Sequence, residues 1–174
     1  MFISPKYAIQ QGWIKGVEES QIQPNAIDFT LDKMFNLGWS EFCLFKDGKQ
    51  HRTTAEQTTL PVQEKECFTL HPRTTYDCSS DMFVDLPEGI AATLIIRSTL
   101  NRNGVFLTSG LYDSGFKGTI GFSLHNNSNG FTRLEKGVCV GQIIFHKSDS
   151  EGLYKGQYNT KEGEHWNAGS NNNS

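Results

Sequence analysis

The sequence predicts an all-β domain, a distorted β-barrel or jelly-roll-like body with one or two short helices. Three observations lead there. Apolar and polar residues alternate in several short runs, the pattern of half-buried strands. The chain carries 17 glycines, and its 12 phenylalanines outnumber the other aromatics, a mixture that suits short strands joined by turns. No internal repeat and no long helical period is present.

Each element can be justified in order. Ser4-Pro5 opens a short helix, Ser as N-cap and Pro at the first helical position, and Gly12 can stop it. From Ala26 the period becomes two: Ile27, Phe29 and Leu31 alternate with Asp28, Thr30 and Asp32, which predicts a half-buried strand. Glu41-Phe42-Cys43-Leu44-Phe45 reads as another, turned by Asp47-Gly48. Cys67-Phe68-Thr69-Leu70 and Met82-Phe83-Val84 are shorter runs, and residues 91–96 are apolar enough for a buried strand. Ile120, Phe122 and Leu124 alternate with Gly121, Ser123 and His125. A last strong strand over 138–145 is entered through the turn Glu135-Lys136-Gly137.

Length and composition bound the function. With 174 residues, 36% hydrophobic and 20% charged, the chain suits one globular domain with a real core. The domain is expected over residues 1–147. Residues 148–174 form a polar tail ending in Asn171-Asn172-Asn173-Ser174, either a frayed end or an arm that orders over a ligand. A net charge of -3 argues against nucleic acid, which needs a basic face, but leaves room for an anionic small ligand in a local pocket. Cys43, Cys67, Cys78 and Cys139 include no C-x-x-C pair and no neighbouring His at zinc spacing, so four reduced thiols are expected. No apolar run has signal-peptide or membrane length, which makes a cytoplasmic protein without a membrane partner the expectation.

Three clusters can carry chemistry. In Arg97-Ser98-Thr99-Leu100-Asn101-Arg102, Ser98 can cap a short helix whose free N–H groups, with two arginines, would suit an anion. The alternative is a surface turn with solvated arginines. In Thr108-Ser109-Gly110-Leu111-Tyr112-Asp113-Ser114-Gly115-Phe116-Lys117-Gly118, glycines flank one carboxylate. The backbone can there approach a ligand closely, and Asp113 can orient and deprotonate water. Asp113 can equally be a turn residue bonded to its own backbone. In the third cluster, Gln142 lies within the apolar run 137–145 and needs a partner if buried, a phosphate or a core carbonyl.

Taken in order, these clusters resemble the dUTPase and dCTP deaminase superfamily. Gln23-Pro24-Asn25-Ala26-Ile27-Asp28-Phe29 looks like its first motif, residues 97–104 its second, residues 108–126 its third and residues 137–145 its fourth. The resemblance implies a homotrimer with active sites built between subunits, binding a deoxynucleoside triphosphate with Mg²⁺. It also implies that the backbone of the third-motif hairpin reads the pyrimidine, so Thr108, Ser109, Gly110 and Tyr112 would line the base and sugar site. Ser98 and Gln142 would contact the triphosphate, with Arg97, Thr99 and Arg102 nearby, and Asp28 would organise the metal through water. Asp113 would activate the water.

One position separates the superfamily's two chemistries. The deaminases carry a Glu where this chain has Ser123, and a serine cannot shuttle a proton as a tuned carboxylate can. The expected activity is therefore hydrolysis of dUTP to dUMP and pyrophosphate by a dUTPase-like member on a deaminase-like scaffold. Alternatives are a dCTP or broader pyrimidine triphosphate diphosphatase, a dCTP deaminase-like protein, and a non-catalytic nucleotide sensor. The family's tail Arg has no counterpart after Arg133, although Lys161 or His165 can supply a cation and Trp166 a stacking ring. Tyr112 stands where a smaller aliphatic residue is usual, and Tyr154-Lys155-Gly156-Gln157-Tyr158 looks more like the deaminase branch.

Overall fold

A computed structural model describes residues 1–38, 42–47, 50–51, 53–149, 152–156 and 158–161. The chain opens with helix α1 (Pro5–Gln10), which buries Pro5 and Ala8. Gly12 follows its end at φ +74°. Ser4 holds the N-cap position, yet its side chain makes no capping hydrogen bond, so the helix is fixed by packing.

After β1 (Ile14–Lys15) and a 3-10 turn comes β2 (Ile27–Thr30), with Ile27 and Phe29 buried and Asp28 and Thr30 on the opposite, half-buried face. Strands β3 (Lys33–Leu37), β4 (Cys43–Leu44), β5 (Gln50–His51), β6 (Thr54–Glu56), β7 (Leu60–Val62) and β8 (Lys65–Leu70) follow. The run expected over 41–45 is reduced to β4. Phe42, Leu44 and Phe45 are exposed, so this hairpin adds nothing to the core. Glu41 and Gly48 lie outside the described residues.

The long strand β9 (Thr74–Asp85) leads to β10 (Ile90–Ile96), helix α2 (Ser98–Arg102), β11 (Val105–Thr108), β12 (Lys117–Asn126), β13 (Thr132–Glu135) and β14 (Cys139–Lys147). The largest sheet runs β11–β12–β9–β3–β6, with β1 added to β9. A second runs β10–β14–β2 and a third β13–β8–β7. The described residues are thus mostly β with two short α-helices, and among them the sheets stay open instead of closing into one continuous barrel.

The core fills the space between the first two sheets. Phe29 of β2 meets Phe122 of β12 at 5.1 Å between ring centroids, and Ile27, Leu124, Ile143 and Met82 beside them are fully buried. All four cysteines are free thiols. Among the described residues no helix is long and apolar enough to cross a membrane.

The described part of the tail is docked. Tyr154 N–H donates to Ser114 O at 2.7 Å and Thr160 N–H to Lys117 O at 2.8 Å. Lys117 N–H in turn donates to Asn159 Oδ1 at 2.9 Å. The expected boundary at 147/148 marks the end of β14, but the chain beyond it returns to the start of β12 as a strap.

Candidate active site

Strands β11 and β12 form a hairpin that pairs only from Val105↔Asn126 to Thr108↔Ser123. Beyond Thr108 the chain leaves the ladder as a loop and rejoins β12 at Lys117, and the gap is a cleft of about 480 Å³. Thr108, Ser109, Gly110 and Tyr112 line it from the loop side. Ser123 lines it from β12 with Gly121 and Thr119, while Ile120 and Leu124 are buried away from it and Phe122, though buried in the core, also reaches its lining. The alternation read from the sequence therefore holds in burial, with Phe122 the one apolar member that also lines the cleft.

Tyr112 is bound into this wall. Its backbone exchanges hydrogen bonds with Ala92, 2.9 and 3.0 Å, and its ring stands edge-on to Phe116 at 4.9 Å. Its hydroxyl donates to Gly121 O at 2.5 Å and accepts from Gly121 N–H at 3.0 Å. Burial drives the phenol pKa far up and the Asp77 charge adds to that, against the opposing Gly121 hydrogen bond, so the hydroxyl stays protonated through the neutral range.

Asp113 does not sit at the cleft's centre. It is exposed on the lip, in a second depression that shares Leu111 and Tyr154 with the first. Its main-chain carbonyl accepts from Phe116 N–H at 3.0 Å, so the backbone makes the turn, and Asp113 lines the second depression, not the cleft itself. The flanking glycines serve the strap more than a ligand. A Cβ on Gly115, at φ +83°, would lie 2.8 Å from Leu153 Cβ, and one on Gly118 would lie 3.1 Å from Tyr158 O.

The residues of the other three motifs gather elsewhere. β14 pairs with β2 so that Gln142 lies opposite Asp28, and with β10 so that Ile96 lies opposite Gly141. Gln142 Nε2 donates to Asp28 Oδ1 at 2.8 Å and Gln23 Nε2 to Asp28 Oδ2 at 2.9 Å. Arg97 Nη1 reaches Cys139 O at 3.5 Å. Burial raises the Cys139 thiol pKa and the Asp28 charge raises it further, while Arg97 opposes both, which places all three groups in one neighbourhood. None of Asp28, Arg97, Ser98, Thr99, Arg102 or Gln142 lines the cleft.

The second cluster differs from its expected form in one respect. Arg97, not Ser98, is the N-cap of α2, and Ser98 is its first helical residue. The reason is that β10 delivers Arg97 in extended conformation, its N–H bonded to Val140 O at 2.9 Å, so the turn begins one residue later. Arg97, Ser98, Thr99 and Arg102 are all exposed. Among the described residues there is no group of three or more His, Cys, Asp or Glu side chains placed to hold a metal. Asp28 fits a role through water: each oxygen accepts one amide N–H and keeps a lone pair. Trp166 and His165 lie outside the described residues.

Sequence reasoning missed three cleft residues. Asp77 of β9 lies opposite Ser123 in the β9–β12 register and lines the cleft. Its signal was hidden because Asp77-Cys78-Ser79-Ser80-Asp81 reads as polar loop, although it is the middle of a 12-residue strand. Tyr154 and Tyr158 of the strap also line the cleft. Tyr154 packs at a tilt against Phe116, 5.8 Å between ring centroids, and partial burial raises its pKa, with smaller pushes from Tyr158 and Asp113 against a Tyr158 backbone hydrogen bond.

An open hairpin with a hydroxyl-lined cleft, beside a separate Arg–Asp–Gln cluster on a mostly-β body, defines the class. The model of the dCTP deaminase-like family matches residues 6–148, and the chain belongs to that family. A probable deoxyuridine 5'-triphosphate nucleotidohydrolase of Methanothermobacter thermautotrophicus is 30% identical over 142 residues, covering 80% of this chain and 89% of that protein. A dCTP deaminase, dUMP-forming, of Pseudarthrobacter chlorophenolicus is 31% identical over 150 residues, 83% and 78% of the two chains. Among solved structures, the 2'-deoxycytidine 5'-triphosphate deaminase of Agrobacterium tumefaciens aligns at a TM-score of 0.64 and 12% identity over 84% of this chain. This chain spans 48% of that one. A dUTPase of Staphylococcus bacteriophage 80alpha aligns at 0.51 and 14% identity over 83% of this chain and 94% of its own. The two structural likenesses concern the fold.

Proposed function

We propose that this chain hydrolyses dUTP to dUMP and pyrophosphate. The observation that carries the reading is the make-up of the hairpin cleft. Thr108, Ser109 and Gly110 line it, Asp113 stands at its lip, and the inward-facing position on β12 is Ser123, a residue without a carboxylate. In this reading the base and sugar enter the cleft, and the Asp113 carboxylate aligns and deprotonates a water for attack on the α-phosphorus. The water oxygen joins the α-phosphorus, the bond to the bridging oxygen breaks, and pyrophosphate leaves with that oxygen.

The phosphate side belongs to Arg97, Ser98, Thr99, Arg102 and Gln142. Because these line no part of the cleft in one chain, a homotrimer in which one subunit's cleft meets another's Arg97–Gln142 cluster completes the site. Mg²⁺, arriving with the triphosphate, would offset phosphate charge, and Asp28 would hold its water shell.

A second reading keeps the hydrolysis and changes the base. Asp77 places a carboxylate in the cleft opposite Ser123, and a carboxylate accepts from the exocyclic amino group of cytosine, which favours dCTP. Turnover of dUTP in H₂¹⁸O tests the main reading: the label is expected in dUMP. Label in pyrophosphate, or no cleavage of dUTP, overturns it.

A further inference from the structure

Continued by two residues, the antiparallel β11–β12 register would bring Gly110 opposite Gly121. The loop leaves the ladder before that point, so among the described residues Gly121 has no strand partner on the cleft side. Its N–H and C=O nevertheless both have a partner, and it is one hydroxyl: Tyr112 accepts from the N–H at 3.0 Å and donates to the C=O at 2.5 Å. The ring that carries it is only 5% exposed, and its backbone is fixed by the exchange with Ala92.

A backbone donor and acceptor side by side on a cleft wall are what the pairing edge of a pyrimidine matches. Uracil brings N3–H and O4, and cytosine brings N3 and its amino group. Either base would need the two groups that Tyr112 already holds. We propose that Tyr112 determines specificity as an internal competitor for the Gly121 edge, so that a pyrimidine binds there only by displacing its hydroxyl. This rests on the reading of the cleft as a nucleotide pocket.

The test is calorimetric titration of dUMP and dCMP into the wild type, Tyr112→Phe and Tyr112→Val, with thermal unfolding of each. Removing the two hydrogen bonds is expected to tighten binding by about tenfold or more. It is also expected to lower the unfolding temperature, since Gly121 loses its partner in the free protein. A tyrosine that merely braces the hairpin lowers affinity and stability together, and that result, or unchanged affinity, overturns the proposal. Binding of dUMP by the wild type with no gain in either variant removes Tyr112 alone. Absence of binding by all three proteins removes the pyrimidine reading as well. If the variants fail to fold, tyrosine-labelled wild type carries the test: dUMP must shift the Tyr112 Cζ resonance, and an unmoved resonance at saturation refutes displacement.

Discussion

Asp113 and Gly141 show how differently single residues can be tied into the same fold. The Asp113 side chain is exposed and its turn is made by its main chain, so the carboxylate is free to serve chemistry without supporting the loop. Asp113→Asn is therefore expected to lower kcat by about 10²–10⁴-fold, the range for a lost general base, with dUMP affinity and unfolding temperature nearly unchanged. Turnover at the wild-type level would remove Asp113 from the mechanism. Gly141 is the opposite case. A Cβ there would lie 2.5 Å from Ile95 O and 2.6 Å from Phe29 Cζ, inside the packed face of β14. Gly141→Ala should cost about 1–3 kcal/mol by overpacking, read as a lower urea midpoint at unchanged m-value.

At the scale of elements, legibility followed burial pattern. β2, β12 and β14 were visible because their alternation or apolar run matches the face they present to the core. β10 was visible as an apolar run, but it is not the buried strand expected: only Ile90, Ala91 and Ala92 are buried, and Ile95 is exposed. β9 was seen only as Met82-Phe83-Val84. Its middle buries Ser79 and Ser80 instead of apolar residues, and its register with β12 shifts between Thr119 and Gly121, so no simple period survives. That is also why Asp77 escaped notice. The strap was legible as a polar tail that could order as an arm, and in the resemblance of residues 154–158 to the deaminase branch, but its docking site was not. Its docking depends on Gly115 and Gly118, whose missing side chains make room for Leu153 and Tyr158. Gly115→Val, blocked by both φ and contact, should release the strap; limited proteolysis after β14 would then speed up and KM would rise. Proteolysis at the wild-type rate would show that the strap tolerates the added side chain.

At the scale of the whole molecule, two properties depend on how the parts are joined. The first is stability at alkaline pH. Cys78 and Tyr112 are both buried, and burial raises both pKa values, with Asp77 adding to each. In the unfolded chain these groups ionise near their ordinary values, about 8.5 and 10. The folded state holds both protons longer. Their contribution is therefore complete below the ordinary thiol range and declines as pH rises toward the raised folded values, by up to about 1.4 kcal/mol per pH unit per group. Urea unfolding between pH 8 and 11 should show this decline, and Cys78→Ala should remove its earlier part. The second property is assembly. In the proposed trimer the cleft and the phosphate cluster of one site come from different subunits. Mixing unfolded Asp113→Asn and Ser98→Ala chains and refolding them together should then restore activity that neither variant has alone. No recovery in mixed trimers would mean that each chain completes its own site.

The central claim is that this cleft cuts a triphosphate and leaves the base intact. Incubation with dUTP, dCTP and dTTP in the presence of Mg²⁺, with pyrophosphate and ammonia recorded separately, tests it most directly. Pyrophosphate from dUTP, and ammonia from none of the three, is the expected result. Ammonia from dCTP would show that Asp77 or another group does the work denied to Ser123, and the cleft would then be a deaminase site.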